Sequence, residues 1–341
     1  MEPYENSEEA IVMKKFVFVL LAAALVFSSA AMAAAEWKFE RKVDMVCPWG
    51  VGGGADGTIR PMSNLLKDIL GVEVEVVNVE GGSGVNGVEY TYKQPADGYT
   101  FMLGTQSLIM QDLQGATSMN FRDEFIPVVK LVHSINIIAG SKKAMDAKGY
   151  HNFAELVEYA KAHPFEVSVG MLTVTGADGA SLRQTLAGLD VNEVAYSGGA
   201  EMNSALVGGH IDMMITGTDE IAGLIKAGDI VPLCAISENR MKLYPDMQCT
   251  GELGINSYIG TWRGIFARKG TPQEAIDALV EAVKKAVETQ TWKDFLVSGA
   301  YDERPGFAAP AEFATLFESE YKMFTEYLKS EEVLKKDYYA K

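Results

Sequence analysis

Val43-Asp44-Met45-Val46-Cys47-Pro48-Trp49-Gly50-Val51-Gly52-Gly53-Gly54-Ala55-Asp56-Gly57 is the stretch on which the fold turns. Val43 to Cys47 reads as an apolar strand and Gly50 to Gly57 as a loop. Ile59, Met62, Leu65, Leu66, Ile69 and Leu70 then recur on one face of a helix that stops at Gly71. Val72 to Val77 alternates apolar and acidic residues, as a half-exposed strand does, and Tyr99 to Leu103 forms a third strand. Strand, glycine loop, helix and strand make a βαβ unit, so the fold class is α/β.

The same grammar restarts after Phe121. Asn152 is placed to cap a helix with Glu155 at its third position, burying Phe153, Leu156, Val157 and Ala160. Strands follow at Glu166 to Val169, Asn192 to Tyr196, Ile211 to Ile215 and Ile230 to Ile236. The last part is helical, from Glu274 to Glu288 behind Pro272 and from Pro310 to Leu328. A chain of 341 residues is too long for one core, so two domains are expected. With no linker between them, the chain is expected to cross inside ordered strands near Val128 to Ala139 and Tyr258 to Ala267.

Lys14-Lys15, an apolar run from Phe16 to Phe27, and the small residues through Ala35 read as a cleaved secretory signal peptide over residues 1–33. The run is shorter than the roughly 20 residues a membrane-spanning helix needs. Because Met1 to Val12 is acidic and precedes the basic pair, translation is expected to begin at Met13, and the mature chain to start at Ala34 or Glu36 in the periplasm. Removing four Glu and two Lys with residues 1–33 changes the formal charge from −16 to −14, which argues against a nucleic-acid partner. Cys47 and Cys234 read as small core residues, Cys249 leaves a pairing with Cys234 open, and the four histidines lack metal-ligand spacing. No metal or cofactor is expected.

Chemistry concentrates in two glycine loops, Trp49 to Asp56 and Gly81 to Gly87. Each follows a strand, where open α/β sheets bind ligands, and a loop entering a helix offers backbone N–H groups to an anion. The bland reading is that glycine permits tight turns. No Lys or Arg lies between Trp49 and Ile59, so backbone donors around Val51, Gly52 and Gly53 are expected to carry the affinity. Gly82-Ser83-Gly84-Val85-Asn86-Gly87 matches a dinucleotide fingerprint formally but lacks the acidic residue that ribose recognition uses. Asp56 either caps its helix or meets a ligand amine, and Trp49 is either a cleft wall or a core plug. Arg263 either pairs with a ligand carboxylate or forms a surface salt bridge. Thr105, Gln106 and Ser107 end the third strand, and at least one is expected to touch the ligand. Nothing assembles a nucleophile with a base, so no enzyme is expected, although an exported hydrolase or transferase is the rival class.

Pro48-Trp49-x-x-Gly52-Gly53-Gly54-x-Asp56 with Arg60 resembles the first signature of the tripartite tricarboxylate transporter solute-binding family, the TctC/Bug receptors. Asn78-x-x-Gly81-x-x-Gly84-x-x-Gly87, Ala96-Asp97-Gly98-Tyr99-Thr100, Tyr196-Ser197-Gly198, Gly208-Gly209-His210-Ile211-Asp212, Trp262-x-Gly264 and Lys269-Gly270-Thr271-Pro272 continue it. The resemblance implies a two-lobed venus-flytrap fold of the type II periplasmic-binding-protein kind. Residues 34–131 and 263–341 would form one lobe and 132–262 the other. It implies a small carboxylate ligand, such as a dicarboxylate, tricarboxylate, aromatic acid or acidic amino acid. It further implies two integral-membrane permease subunits as partners of a monomeric receptor, with presentation to a membrane sensor as the alternative. Ser83, Thr173, Thr175, Ala177, Ser197, Thr218 and Asp219 join the expected ligand contacts. Three departures stand out: Gly170 to Asp178 reads as a family glycine loop with an insertion, Ser197 stands where Lys is common, and Gly82-Ser83 stands where Ala-Gly is common.

Overall fold

The computed structural model describes residues 37–340 apart from Thr173, Thr175 and Ser197. The expected signal peptide and those three expected ligand contacts therefore lie outside the described residues.

β1 (Val43–Cys47) lies between β2 (Val74–Asn78) and β3 (Thr100–Gly104), with Met45 opposite Val76 on one side and Phe101 on the other, all parallel. β4 (Phe125–Ser134) and β11 (Thr261–Arg268) complete a five-stranded sheet of order β2-β1-β3-β11-β4. A second sheet has the order β10-β9-β5-β8-β6-β7. Its strands are β5 (Asn136–Ser141), β6 (Ser168–Met171), β7 (Asn192–Ala195), β8 (Met213–Gly217), β9 (Ile230–Ala235) and β10 (Gln248–Cys249).

Both sheets are mixed, whereas the sequence pattern suggested parallel units throughout. β11 runs antiparallel to β3 and β4, and β5 runs antiparallel to β8 and β9. The reason is the route of the chain. β4 leaves the first sheet at Ser134 and β5 opens the second at Asn136, while Thr261 on the returning β11 sits opposite Ser134. A strand that leaves and a strand that returns side by side must point in opposite directions. β6 and β8 also begin two residues later than their apolar runs suggest, because pairing across the sheet sets a strand's limits.

The first sheet is covered by α1 (Gly54–Leu70), α2 (Val85–Lys93), α3 (Gln106–Leu113), the short α4 (Phe121–Glu124), and, beyond the second sheet, α10 (Gln273–Val287), α11 (Gln290–Ser298) and α12 (Pro310–Ser330). Along α12, Phe313, Phe317, Tyr321, Phe324 and Leu328 recur at helical spacing and are buried with Trp262 and Phe266 of β11. The Phe313 ring stands edge-on to both, at 5.2 Å from Trp262 and 5.3 Å from Phe266. The chain end straps over α3: the Tyr321 and Tyr338 hydroxyls and the Lys336 ammonium all meet Asp112, at 2.8, 2.9 and 2.8 Å.

The second sheet is covered on both faces by α5 (Lys142–Lys148), α6 (Phe153–Ala162), α7 (Ala177–Thr185), α8 (Gly199–Gly208) and α9 (Thr218–Ala227). α6 begins as its sequence suggests, with Asn152 accepting from the Glu155 N–H at 2.9 Å and Glu155 accepting from the His151 N–H at 2.7 Å. Cys47, Cys234 and Cys249 are free and buried. Among the described residues no helix is long and apolar enough to cross a membrane.

Candidate functional site

Helices α3, α5, α6 and α11 open on Thr105, Ser141, Asn152 and Thr289, whose side chains each accept a hydrogen bond from the first turn. Four other helices open differently. α1, α7, α8 and α9 start at Gly53, Gly176, Gly198 and Gly217, and among the described residues none has a side-chain cap. Their first N–H groups have no intrahelical partner and carry the positive end of the helix dipole.

These N-termini converge between the two sheets. A Cβ added at Gly54 in the first turn of α1 would collide with the Arg263 guanidinium of β11 and with the Glu220 carboxylate of α9. A Cβ at Gly199, which opens α8, would lie 3.3 Å from the other Glu220 oxygen. Ala177, the first residue of α7, is fully buried within the core cluster that otherwise belongs to the first sheet. The two sheets with their helices therefore meet across a closed cleft.

Arg263 is the centre of that cleft and is 2% exposed. Its Nη1 donates to Asp219 Oδ2 at 3.1 Å and to the Tyr301 hydroxyl at 2.7 Å, while Nη2 donates to Glu220 Oε1 at 2.9 Å. The Tyr301 hydroxyl also lies 3.3 Å from Thr58 Oγ1 of α1. A break in strand register between Arg263 and Gly264 redirects the backbone here. The surface salt bridge considered for Arg263 is thus replaced by a buried one that joins the two halves of the molecule.

Two carboxylates pair with one guanidinium, and a third, Asp178, interacts with its charge. Burial raises the Glu220 carboxyl to about 7, with the charges of Asp219 and Asp178 adding to the effect and Arg263 opposing it. Burial likewise raises Asp178 to about 6 against the pull of Arg263. Burial works against the Arg263 cation too, yet Asp219, Tyr301 and Glu220 outweigh it and hold the guanidinium charged. A carboxyl raised in the folded state binds its proton more tightly there than when unfolded, so its contribution to stability falls as pH rises from the usual 4.5 to about 7. His133, held down to about 3 by burial and by Arg304 and Lys130, acts oppositely as pH falls below 6.5. The clean readout is a difference. Between pH 5 and pH 7 the urea midpoint of the parent is expected to fall relative to that of Glu220→Gln, and parallel profiles would show that Glu220 stays ionised throughout.

The other expected contacts distribute unevenly. Asp56 neither caps α1 through its own N-cap position nor stands free. Its carboxylate accepts from the Gly52 N–H at 3.1 Å, from Arg60 Nε at 3.1 Å and from Asn78 Nδ2 at 3.0 Å. Burial opposes its ionisation, but those bonds outweigh it and hold the carboxyl below its usual range. Asp56 thus shapes the loop. Asn78 also donates to the Trp49 carbonyl at 2.9 Å, and the Trp49 ring covers Gly84, so both glycine loops are tied together. Ser83 is half-buried in the left-handed region at φ 53°.

The Thr105 hydroxyl oxygen accepts from the Ser107 N–H at 3.2 Å. Gln106 is buried, donating to the Gly260 carbonyl at 2.6 Å and accepting from the Trp262 N–H at 3.3 Å, which fastens α3 to β11. Val51 is 72% exposed. Thr218 is buried, 3.5 Å from the Gly299 carbonyl. The structure brings Asp219, Ala177 and Arg263 together with the start of α1. It adds Asp178, Glu220, Thr58 and Tyr301, which the sequence reading passed over. For Asp178 and Glu220 the available signal was a carboxylate in the first turn after a glycine-opened helix start.

The model of the family described as "Tripartite tricarboxylate transporter family receptor" matches residues 58–308. Protein BugT of Bordetella pertussis is 26% identical over 296 residues, 82% of this chain and 89% of that protein. Among solved structures, Rpa4515 of R. palustris with adipate superposes with a TM-score of 0.77 at 26% identity, covering 85% of this chain and 97% of that one. The periplasmic binding protein BugD matches in fold, with a TM-score of 0.77 at 23% identity over 87% of this chain and all of that one. The family consists of binding receptors rather than enzymes, and the chain belongs to it: this is a receptor of the tripartite tricarboxylate transporter family.

Proposed function

We propose that this receptor is exported to the periplasm, captures a small carboxylate between its two sheets and delivers it to two integral-membrane permease subunits. The observation that carries the reading is the convergence of four glycine-opened, uncapped helix N-termini on one buried cleft. Such termini bind anions through backbone N–H groups without a free cationic side chain. The adipate held by the 26% identical Rpa4515 supports the ligand class. In this reading residues 34–131 and 263–341 act as one lobe and 132–262 as the other, closing as a monomer. Hydrogen bonds to a charged group contribute roughly 1.5 to 3 kcal/mol each. Four or five directed donors thus account for a micromolar affinity of about −8 kcal/mol.

The test is a thermal-shift screen of small carboxylates on protein recovered from the periplasm, whose mass also reports whether it starts at Ala34 or Glu36. A true ligand at a hundred times its Kd adds about 2.7 kcal/mol of stability and raises the melting temperature visibly. A screen in which no small carboxylate shifts the melt sinks the reading.

A further inference from the structure

The carboxylate reading leaves an electrostatic debt in this cleft. Asp178, Asp219 and Glu220 face a single guanidinium, Arg263, whose Nη atoms are already taken by Asp219, Tyr301 and Glu220. Each helix N-terminus contributes only about half a positive charge. Those of α7 and α9 already face acids of their own first turns, Asp178 on one and Asp219 with Glu220 on the other. A ligand that brought only negative charge would add a further anion to a buried site whose cation is spent.

One carboxylate in the cleft has a buried spare acceptor, and a second, half-buried one lies near it in the first turn of α7. The Asp219 side chain is 8% exposed and its Oδ1 is buried with no hydrogen-bond partner among the described residues. Asp178 has an electrostatic interaction with Arg263 but no hydrogen bond or ion pair among the described residues. A buried acceptor without a donor is costly, and a cationic donor would satisfy Asp219 Oδ1 while offsetting the negative charge of Asp178.

Resting on the receptor reading above, we propose that the ligand is a carboxylate that also carries a protonated amino group or an equivalent cationic nitrogen, which Asp178 and the free oxygen of Asp219 receive. The glycine-opened start of α1 takes the ligand carboxylate, and the acids of α7 and α9 take the nitrogen. Charge is then balanced within the closed cleft. The acids also reject amine-free diacids, because an unpaired carboxylate beside Asp178 meets like charge.

Calorimetry with matched pairs tests this: succinate against aspartate, glutarate against glutamate, and adipate against 2-aminoadipate. The amino member of at least one pair is expected to bind at least tenfold more tightly. Asp178→Asn, confirmed as folded by circular dichroism, is expected to shrink that preference to threefold or less. Should Asp178→Asn misfold, Asp219→Asn is the second variant, with the same expectation. Amine-free diacids that bind as tightly as their amino partners in every pair that binds overturn the inference and leave the carboxylate-receptor reading standing. An amino preference unchanged in the folded variants overturns it as well. Binding by neither member of any pair overturns the inference, while the carboxylate-receptor reading falls only if the wider thermal-shift screen also finds no ligand.

Discussion

Arg263→Met is expected to cost the protein about 3 to 5 kcal/mol, the range seen when one partner of a buried ion pair is removed. The guanidinium is 2% exposed and is the cation that Asp219 and Glu220 share. Met fills much of the space but leaves two buried carboxylates facing one another beside Asp178. Both will take up protons or pull water into the cleft. Urea unfolding followed by tryptophan fluorescence, with the buried Trp262 as reporter, measures the loss. Adding Asp219→Asn and Glu220→Gln to Arg263→Met should recover part of it, because the stranded charges are then gone. An Arg263→Met protein as stable as the parent would mean that the carboxylates are solvated and the cluster holds nothing together.

The second large effect is on binding. Gly53→Val is expected to leave the fold intact and weaken ligand binding at least a hundredfold, about 2.7 kcal/mol. Gly53 has φ −78° and ψ 171°, extended backbone that valine adopts readily, and an added Cβ meets only the Gly50 carbonyl oxygen, at 3.6 Å. The space in front of it is therefore free for a side chain or for a ligand, not both. Its neighbour behaves differently: at Gly54 an added Cβ collides with Arg263 and Glu220, so Gly54→Val should damage the closed molecule itself. Lys67→Ala, on the exposed side of α1 where Lys67 pairs with Glu73 at 2.9 Å, should leave affinity nearly unchanged. A folded Gly53→Val that binds as tightly as the parent would make the loop a turn and nothing more.

Much of the fold was legible because strands and helices here follow local rules. Ile59, Met62 and Leu66 on one face of α1, and the box of Asn152 with Glu155, need no distant partner to be read. Strand direction was not legible, since nothing in the residues of β11 says that it returns beside β4. The site divides in the same way. Glycines at helix starts announce themselves in sequence, whereas the capping of α3 by the Thr105 hydroxyl oxygen is seen only in the structure. Asp178 and Glu220 look like any acid in a first helical turn, which the helix dipole favours by itself. What singles them out is burial beside Arg263, a residue more than forty positions away in the chain.

The strand order β2-β1-β3-β11-β4 also bears on how a nascent chain reaches this state. Every strand of the six-stranded sheet lies between Asn136 and Cys249, so that sheet can be completed as soon as this stretch is free to fold. The five-stranded sheet cannot: its slot between β3 and β4 is filled only by Thr261–Arg268. Pairings across such long sequence separations form late and slowly. Until β11 arrives, β3 and β4 present open edges, the surfaces on which stray pairing and aggregation begin. In a chain that has not yet placed β11, those two edges are what a holding chaperone would have to shield.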